Sequence, residues 1–103
     1  MHKLVVLYPE PADPAHFREY YLNTHLPLAT KMPGILDWRY SFDVASAPGS
    51  TPYFAIFEAD FADADALQGA LSSPEGAAAG RDVPNYATGG SVTLTYPVQP
   101  GKV

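Results

Sequence analysis

The stretch HKLVVLYPEPADPAHFREYYLNTHLPLATKMPG, from His2 to Gly34, contains the strand and the helix that decide the fold. The segment His2–Tyr8 is apolar at nearly every position and is followed by two prolines, a pattern typical of a strand buried on both faces. Asp13-Pro14 predicts a helix start, because Asp accepts free N–H groups of the first turn and proline gives up no hydrogen bond there. We expect this helix to run from Pro14 to about Thr30, with Met32-Pro33-Gly34 ending it.

The rest of the chain predicts three more strands and a second helical region. The expected elements are a strand over 35–44, a strand over 53–61, a helix over 63–72, a short helix that restarts at Ser73, and a strand over 89–98. The first and last of these strands alternate polar and apolar residues, whereas 53–61 is apolar on both faces. Gly76, Gly80 and Pro84 are expected to interrupt the short helix.

This β-α-β-β-α-β order predicts one α+β domain over residues 1–103 with a ferredoxin-like arrangement. Right-handed crossovers place both helices on one face of a four-stranded antiparallel sheet, with the first and third strands central and the second and fourth at the edges. Both central strands carry apolar side chains on the helix-free face as well. Exposing that face would leave a larger apolar patch than monomers usually have, so we expect a second copy of the sheet to cover it in a homodimer.

Composition excludes several classes of function. The 103 residues carry a net charge of −5 with only six Lys and Arg, which argues against nucleic-acid binding. The chain has no cysteine, so disulfides and thiolate chemistry are excluded and a cytoplasmic location is expected. The apolar N-terminal run is too short for a signal peptide, and no window is long enough for a membrane helix.

The motifs from Leu7 to Ile35 resemble the opening of the EthD family, small proteins of the dimeric α+β barrel superfamily named for a role in ethyl tert-butyl ether degradation. The matching features are Tyr-Pro at the end of the first strand, an Asp-Pro helix start, a Phe and paired tyrosines in the helix, a His-Leu-Pro-Leu segment, and Pro-Gly before the second strand. The resemblance implies the dimeric barrel fold over essentially the whole chain. Relatives include proteins with no assigned reaction, decarboxylases or cyclases of polyketide-type intermediates, and lactone isomerases that need no cofactor.

His25 is the first candidate site residue. At 100° per residue, Phe17, Tyr21, Thr24 and Leu28 form the sheet-facing stripe, His25 lies on its flank, and Leu22 and Leu26 lie on the opposite side. Pro27 lacks the N–H that would bond the Asn23 carbonyl, so that carbonyl is free to hold one imidazole tautomer. The residues alone leave packing, ligand contact and proton transfer open, and the resemblance favours a pocket position with a catalytic role.

Three aromatic residues complete the candidate site. The lactone isomerases use a tyrosine on the second strand beside the helix histidine, so the resemblance assigns a catalytic role to Tyr40. Trp38 shares its strand face, and Tyr21 lies one turn before His25, so both are candidate substrate-binding residues; core packing is the alternative for all three. The isomerases also use a cysteine and a second histidine that this chain lacks, which leaves the isomerase reaction itself open.

The leading hypothesis is a cofactor-independent enzyme in which His25 moves a proton on a small aromatic or conjugated substrate between the first helix and the sheet. The alternatives are a non-catalytic binding or accessory protein of an oxygenase degradation pathway, and haem handling with His25 as the axial ligand. No metal site is expected, because His16 and His25 are half a turn out of phase. Motifs for serine hydrolysis, phosphate loops and dinucleotide binding are absent from the sequence.

Overall fold

The order of elements in the computed structural model, which describes residues 1–101, is the predicted one. The elements are β1 (His2–Pro9), α1 (Pro14–Tyr20), a π-helical turn (Tyr21–His25), α2 (Leu26–Ala29), β2 (Asp37–Ser41), β3 (Tyr53–Phe61), α3 (Ala64–Ser72), α4 (Pro74–Asp82), a 3₁₀ turn (Val83–Asn85) and β4 (Val92–Pro97). The strands β2 and β4 are shorter than the sequence predicts, because hydrogen bonding to the neighbouring strand ends before the alternating pattern does.

The sheet has the order β2-β3-β1-β4, and every neighbouring pair is antiparallel. The prediction that the first and third strands are central is therefore confirmed. In the register, Val6 lies opposite Phe57 on β3 and Thr93 on β4, so these three side chains share one face of the sheet.

The two faces of the sheet have different surroundings. On the face that the helices cover, Leu4, Tyr8 and Ala59 are buried with Phe17 and Leu67 in the core. The opposite face carries Val92, Leu94 and Tyr96 of β4, which are all exposed, beside apolar residues of β1. An apolar surface over β1 and β4 therefore remains on the helix-free side. Towards β2 the same side is charged, because Glu58 and Asp60 of β3 form salt bridges with Lys3 and Arg39, so β3 is less apolar on this face than the sequence predicts.

The helix α4 is more regular than the sequence predicts. The helix passes through Gly76 and Gly80 without interruption, so the expected breaks at these glycines are wrong. The Ser73 side chain accepts a hydrogen bond from the Gly76 N–H, and Pro74 occupies the first helical position. This cap and packing of α4 against α2 and α3 outweigh the low helix propensity of glycine.

The π-helical turn corrects the predicted facing of the first helical segment. The Leu26 N–H bonds the carbonyl of Tyr21, five residues earlier, so this turn contains one residue more than an α-helical turn. The buried residues consequently lie four positions apart, at Phe17, Tyr21, His25 and Ala29, whereas Thr24 is exposed. Pro27 explains the wide turn, because its ring would clash with the Asn23 carbonyl in a regular α-helix. The same shift buries Leu26, which was expected on the opposite side.

Candidate active site

An apolar cavity of about 110 Å³ lies between α2, α4 and the helix-covered face of the sheet. The walls come from both central strands, the helical segments and the start of β4. The lining residues are Leu4, Val6, Tyr8, His25, Ala29, Met32, Phe57, Leu71, Gly76, Ala79, Gly80, Val83, Ser91 and Thr93. Most of this surface is apolar, with His25 and Tyr8 as the polar groups of its interior. A few convergent polar groups in an apolar pocket are typical of a small-molecule site.

His25 is bound to a carboxylate that the sequence analysis did not select. Its Nδ1 atom lies 3.0 Å from the Oδ2 atom of Asp82, at the end of α4, and the two residues are 4% and 8% exposed. The imidazole stacks on the Tyr21 ring with centroids 5.4 Å apart, and it lies 4.5 Å from the Tyr86 ring. The histidine is therefore held on one edge by a charge and on its faces by aromatic rings. The expected partner, the Asn23 carbonyl, does not fill this position.

Asp82 accepts three hydrogen bonds. The Tyr20 hydroxyl donates to Oδ1 at 2.6 Å, the Asn85 amide donates to Oδ1 at 3.0 Å, and His25 contacts Oδ2. Burial raises the pKa of the Asp82 carboxyl, but these hydrogen bonds outweigh burial and bring the pKa below its usual value. Asp82 is thus an ionised acceptor, so the His25 Nδ1 must carry the hydrogen that joins them.

This tautomer leaves the other ring nitrogen as an acceptor. Desolvation lowers the pKa of His25 below 6.5, although Asp82 opposes the shift, so the imidazole is neutral near pH 7. Within residues 1–101 the His25 side chain makes its one hydrogen bond through Nδ1, so Nε2 has no hydrogen-bond partner there. A buried neutral imidazole on the cavity wall, with its free lone pair on Nε2, has the features of a general base.

Three buried tyrosines lie near the histidine: the rings of Tyr21 and Tyr86 contact it, and Tyr8 lines the same cavity. The hydroxyls of Tyr8 and Tyr86 are 2.8 Å apart, and Tyr8 lines the cavity together with His25. The buried Tyr21 hydroxyl has no hydrogen-bond partner in the described part of the chain. Burial raises the pKa of all three tyrosines, so each hydroxyl keeps its hydrogen and can donate it.

The structure brings together only some of the four site residues predicted from the sequence, which are Tyr21, His25, Trp38 and Tyr40. Tyr21 contacts both His25 and Tyr40, the latter with ring centroids 6.2 Å apart, but Tyr21 does not line the cavity. Trp38 and Tyr40 share the predicted strand face and stack on each other, yet each is 39% exposed and neither lines the cavity. Their assigned roles stay predictions, because β2 is an edge strand beyond the walls of this cavity.

Four features of the site were not predicted from the sequence: Asp82, Asn85, Tyr86 and the site position of Tyr8. One signal was available for Asp82. A carboxylate in the last turn of a helix faces the negative end of the helix dipole, so Asp is unfavourable there unless something else holds it. Tyr8 and Tyr86 carried no such signal, since a tyrosine at a strand end or after a helix usually packs in the core.

In residues 1–101, no group of three or more His, Cys, Asp and Glu side chains is arranged to hold a metal ion. A helix long and apolar enough to cross a membrane is likewise not found there.

The fold and the cavity define a small ferredoxin-like α+β protein with a histidine–carboxylate pair in an apolar pocket. The EthD domain model matches residues 9–90, and the chain belongs to the EthD family. A protein of Rhodococcus erythropolis, described as an uncharacterized 11.0 kDa protein in the thcB-thcC intergenic region, is 34% identical over 97 residues, covering 93% of this chain and 92% of that protein.

Two solved structures support the same assignment of the fold. An ethyl tert-butyl ether degradation (EthD) family protein from Bacillus halodurans C-125 is 33% identical with a TM-score of 0.88, covering 96% of this chain and 99% of that one. A dimeric ferredoxin-like protein of unknown function from Thermobifida fusca YX is 15% identical with a TM-score of 0.71, covering 94% and 90%. The likeness to the second protein concerns the fold alone.

Proposed function

We propose that this protein is a cofactor-independent proton-transfer enzyme acting on a small carbonyl compound with an aromatic or conjugated ring. One observation carries the proposal: the Asp82 carboxylate holds the Nδ1–H of a buried His25 that lines an apolar cavity, and the opposite ring nitrogen, Nε2, has no hydrogen-bond partner in residues 1–101. A carboxylate in this position fixes the tautomer and stabilises the imidazolium that forms when Nε2 takes a proton.

The proposed reaction is proton abstraction next to a carbonyl group. His25 Nε2 removes a proton from the α-carbon, the electron pair of the broken C–H bond moves toward the carbonyl oxygen, and an enolate forms. The imidazolium then returns the proton at the same or a conjugated carbon. With Tyr86 donating to Tyr8, the hydrogen of Tyr8 is free to bond the developing oxyanion. Isomerisation and cyclisation both begin with this step.

Deuterium exchange tests the proposal without knowledge of the natural substrate. The protein is incubated in D₂O with a panel of single-ring enolisable ketones and unsaturated lactones, and loss of the α-proton signals is followed by ¹H NMR. We expect at least one compound to exchange faster with the wild type than with His25→Gln. The control is His2→Gln, a histidine at the start of β1 that does not line the cavity, which should keep the wild-type rate.

Two outcomes would contradict the proposal, one for the enzymatic role as a whole and one for His25. Wild-type protein that accelerates exchange of no compound in the panel contradicts proton transfer. If such compounds nevertheless raise the melting temperature, the protein is a non-catalytic binder. Equal rates for the wild type and His25→Gln would instead remove His25 from the reaction.

We also propose that the helix-free face of the sheet forms a homodimer. Val92, Leu94 and Tyr96 are exposed there next to Val5 and Leu7 of β1, and covering them removes apolar surface from water. The Thermobifida fusca protein is described as dimeric, which supports a homodimer, whereas the choice of face rests on the exposed apolar residues of this chain.

A further inference from the structure

Gly80 lies on the rim of the cavity, in a helix that has no conformational need for glycine. The residue has ordinary helical geometry within α4 and is exposed. A Cβ atom built on Gly80 would meet no other atom within 4 Å. Alanine would therefore fit this position and favour the helix, since glycine is the less favourable residue there. What glycine provides at this position is open space.

Gly76, one turn earlier on the same helix, has a different explanation. A Cβ atom there would lie 2.7 Å from the carbonyl oxygen of Leu71 and closer still to that of Ala70. Glycine at this position allows α4 to begin directly against the end of α3. Both glycines line the cavity, but only the one at Gly80 is unexplained by packing.

The cavity opens to solvent beside Gly80. Gly80 on α4 and Ser91 and Thr93 at the start of β4 are all exposed lining residues, whereas His25 and Tyr8 in the interior are buried. We infer that a compound reaches His25 between α4 and β4. Because Gly80 lies four residues after Gly76 and therefore on the same side of α4, and because both line the cavity, we infer that a side chain at Gly80 would extend toward this mouth.

We propose that Gly80 determines the size of the substrate by keeping this mouth open for one six-membered ring that carries a carbonyl group. The cavity of about 110 Å³ is of the same order as the apolar cavity of roughly 150 Å³ that admits benzene. Since the volume is already smaller than that cavity, we expect a second fused ring to be excluded. The inference rests on the proposed function, because it takes His25 as the group that the substrate must reach.

The test compares Gly80 with Gly69, a matched glycine on α3. Gly69 is exposed, a Cβ atom there also meets nothing within 4 Å, and the residue does not line the cavity. Alanine at either position should raise the melting temperature of the free protein by a similar amount. Cyclohexanone and the two-ring 2-tetralone serve as probes, and binding is followed by the histidine ring resonances in ¹H NMR.

We expect the wild type and Gly69→Leu to bind cyclohexanone and to exclude 2-tetralone. Gly80→Leu should lose about ten-fold or more of the affinity for cyclohexanone, as expected when side-chain atoms overfill a fitted space. Unchanged affinity in Gly80→Leu would overturn the proposal, as would a wild type that binds neither ketone or binds 2-tetralone equally well. If Gly80→Leu binds cyclohexanone more weakly but the wild type exchanges no deuterium, the role of Gly80 at the mouth is supported and the proposed proton transfer is contradicted.

Discussion

The Nδ1 atom of His25 and the Oδ2 atom of Asp82 lie 3.0 Å apart, although 57 residues separate them in the chain. The contact joins the end of the π-helical turn to the end of α4, across one side of the cavity. Because Tyr20 and Asn85 also donate to Asp82, the carboxylate stays ionised in a buried position. The position and the protonation state of the imidazole are thus fixed from outside the cavity.

Replacing Asp82 by Asn should lower the pKa of His25 further. Asp82 raises that pKa against desolvation, so its loss leaves desolvation unopposed. Deuterium exchange should fall by about 10²-fold or more, since the imidazolium loses its counter-charge and the amide can hold the wrong tautomer. NMR titration of the His25 ring, assigned by its absence in His25→Gln, measures the shift. Asp65→Asn, an exposed carboxylate on α3, is the control, and an unchanged His25 titration in Asp82→Asn would contradict the role of Asp82.

Acidification should remove both activity and stability. The pKa of His25 is lower in the folded protein than its usual 6.5, so the unfolded chain takes up this proton first as the pH falls. The contribution of His25 to the free energy of unfolding is therefore complete above pH 6.5 and is lost as the pH falls through the folded pKa. Asp82, whose folded pKa is also lowered, adds a second loss below about pH 3.8. Urea unfolding across this pH range measures the free energy of unfolding. If the His25→Gln variant still loses stability below pH 6.5, a group other than His25 causes that loss.

Tyr8→Phe should slow deuterium exchange by about 10²-fold, the usual effect of removing one donor to an oxyanion. It should also destabilise the fold by about 1–3 kcal/mol, because the Tyr86 hydroxyl loses its partner in a buried position. The double variant with Tyr86→Phe should regain part of this stability without regaining activity. Exchange rates and urea unfolding separate the two effects.

Tyr40→Phe is the variant whose exchange rate is compared with that of Tyr8→Phe. The family resemblance gives Tyr40 the catalytic role, whereas the cavity contains Tyr8 and not Tyr40. We expect Tyr40→Phe to leave the exchange rate within a few-fold of the wild type. A larger loss from Tyr40→Phe than from Tyr8→Phe would return the role to Tyr40.

Leu94→Asp should dissociate the proposed homodimer. In a two-fold interface the substitution occurs twice, so two buried charges replace two apolar side chains. The dimer dissociation constant should rise by about 10²-fold or more, which native mass spectrometry and sedimentation both measure. Leu22→Asp is the matched control, because Leu22 is 43% exposed on the helical side and Leu94 is 46% exposed on the sheet. A dimer that survives Leu94→Asp would place the interface elsewhere.

The sequence predicts the order of the elements because each element has a local pattern, and this order together with right-handed crossovers predicts the strand pairing. The apolar run of β1, the Asp13 cap and the alternation in β4 are all readable without a partner element. His25 was identified as a candidate, but its environment was not. The facing of its helix depends on the π-helical turn, and its partner Asp82 reaches it only through the packing of α4 against α2. The alternation of polar and apolar residues in β2 likewise places Tyr40 on the helix-covered face of the sheet. It does not show that this edge strand lies outside the cavity.

Pro27→Ala tests whether the π-helical turn positions His25. Alanine supplies the missing N–H and removes the ring that would clash with the Asn23 carbonyl, so α-helical bonding can continue through Tyr21–His25. We expect deuterium exchange to fall as the His25–Asp82 hydrogen bond loosens. The better helix propensity of alanine should offset part of the stability that loosening this buried contact removes, so activity should fall by more than the free energy of unfolding accounts for.

The crystal structure of Pro27→Ala and the ¹⁵N chemical shifts of the His25 ring measure the result directly. Pro74→Ala is the control, because Pro74 occupies the first position of α4, where proline is tolerated, and does not line the cavity. If Pro27→Ala retains the π-helical turn and the wild-type exchange rate, packing around Asp82 rather than the proline imposes the wide turn. Loss of the turn with unchanged exchange would show that the imidazole reaches its substrate from either helical geometry.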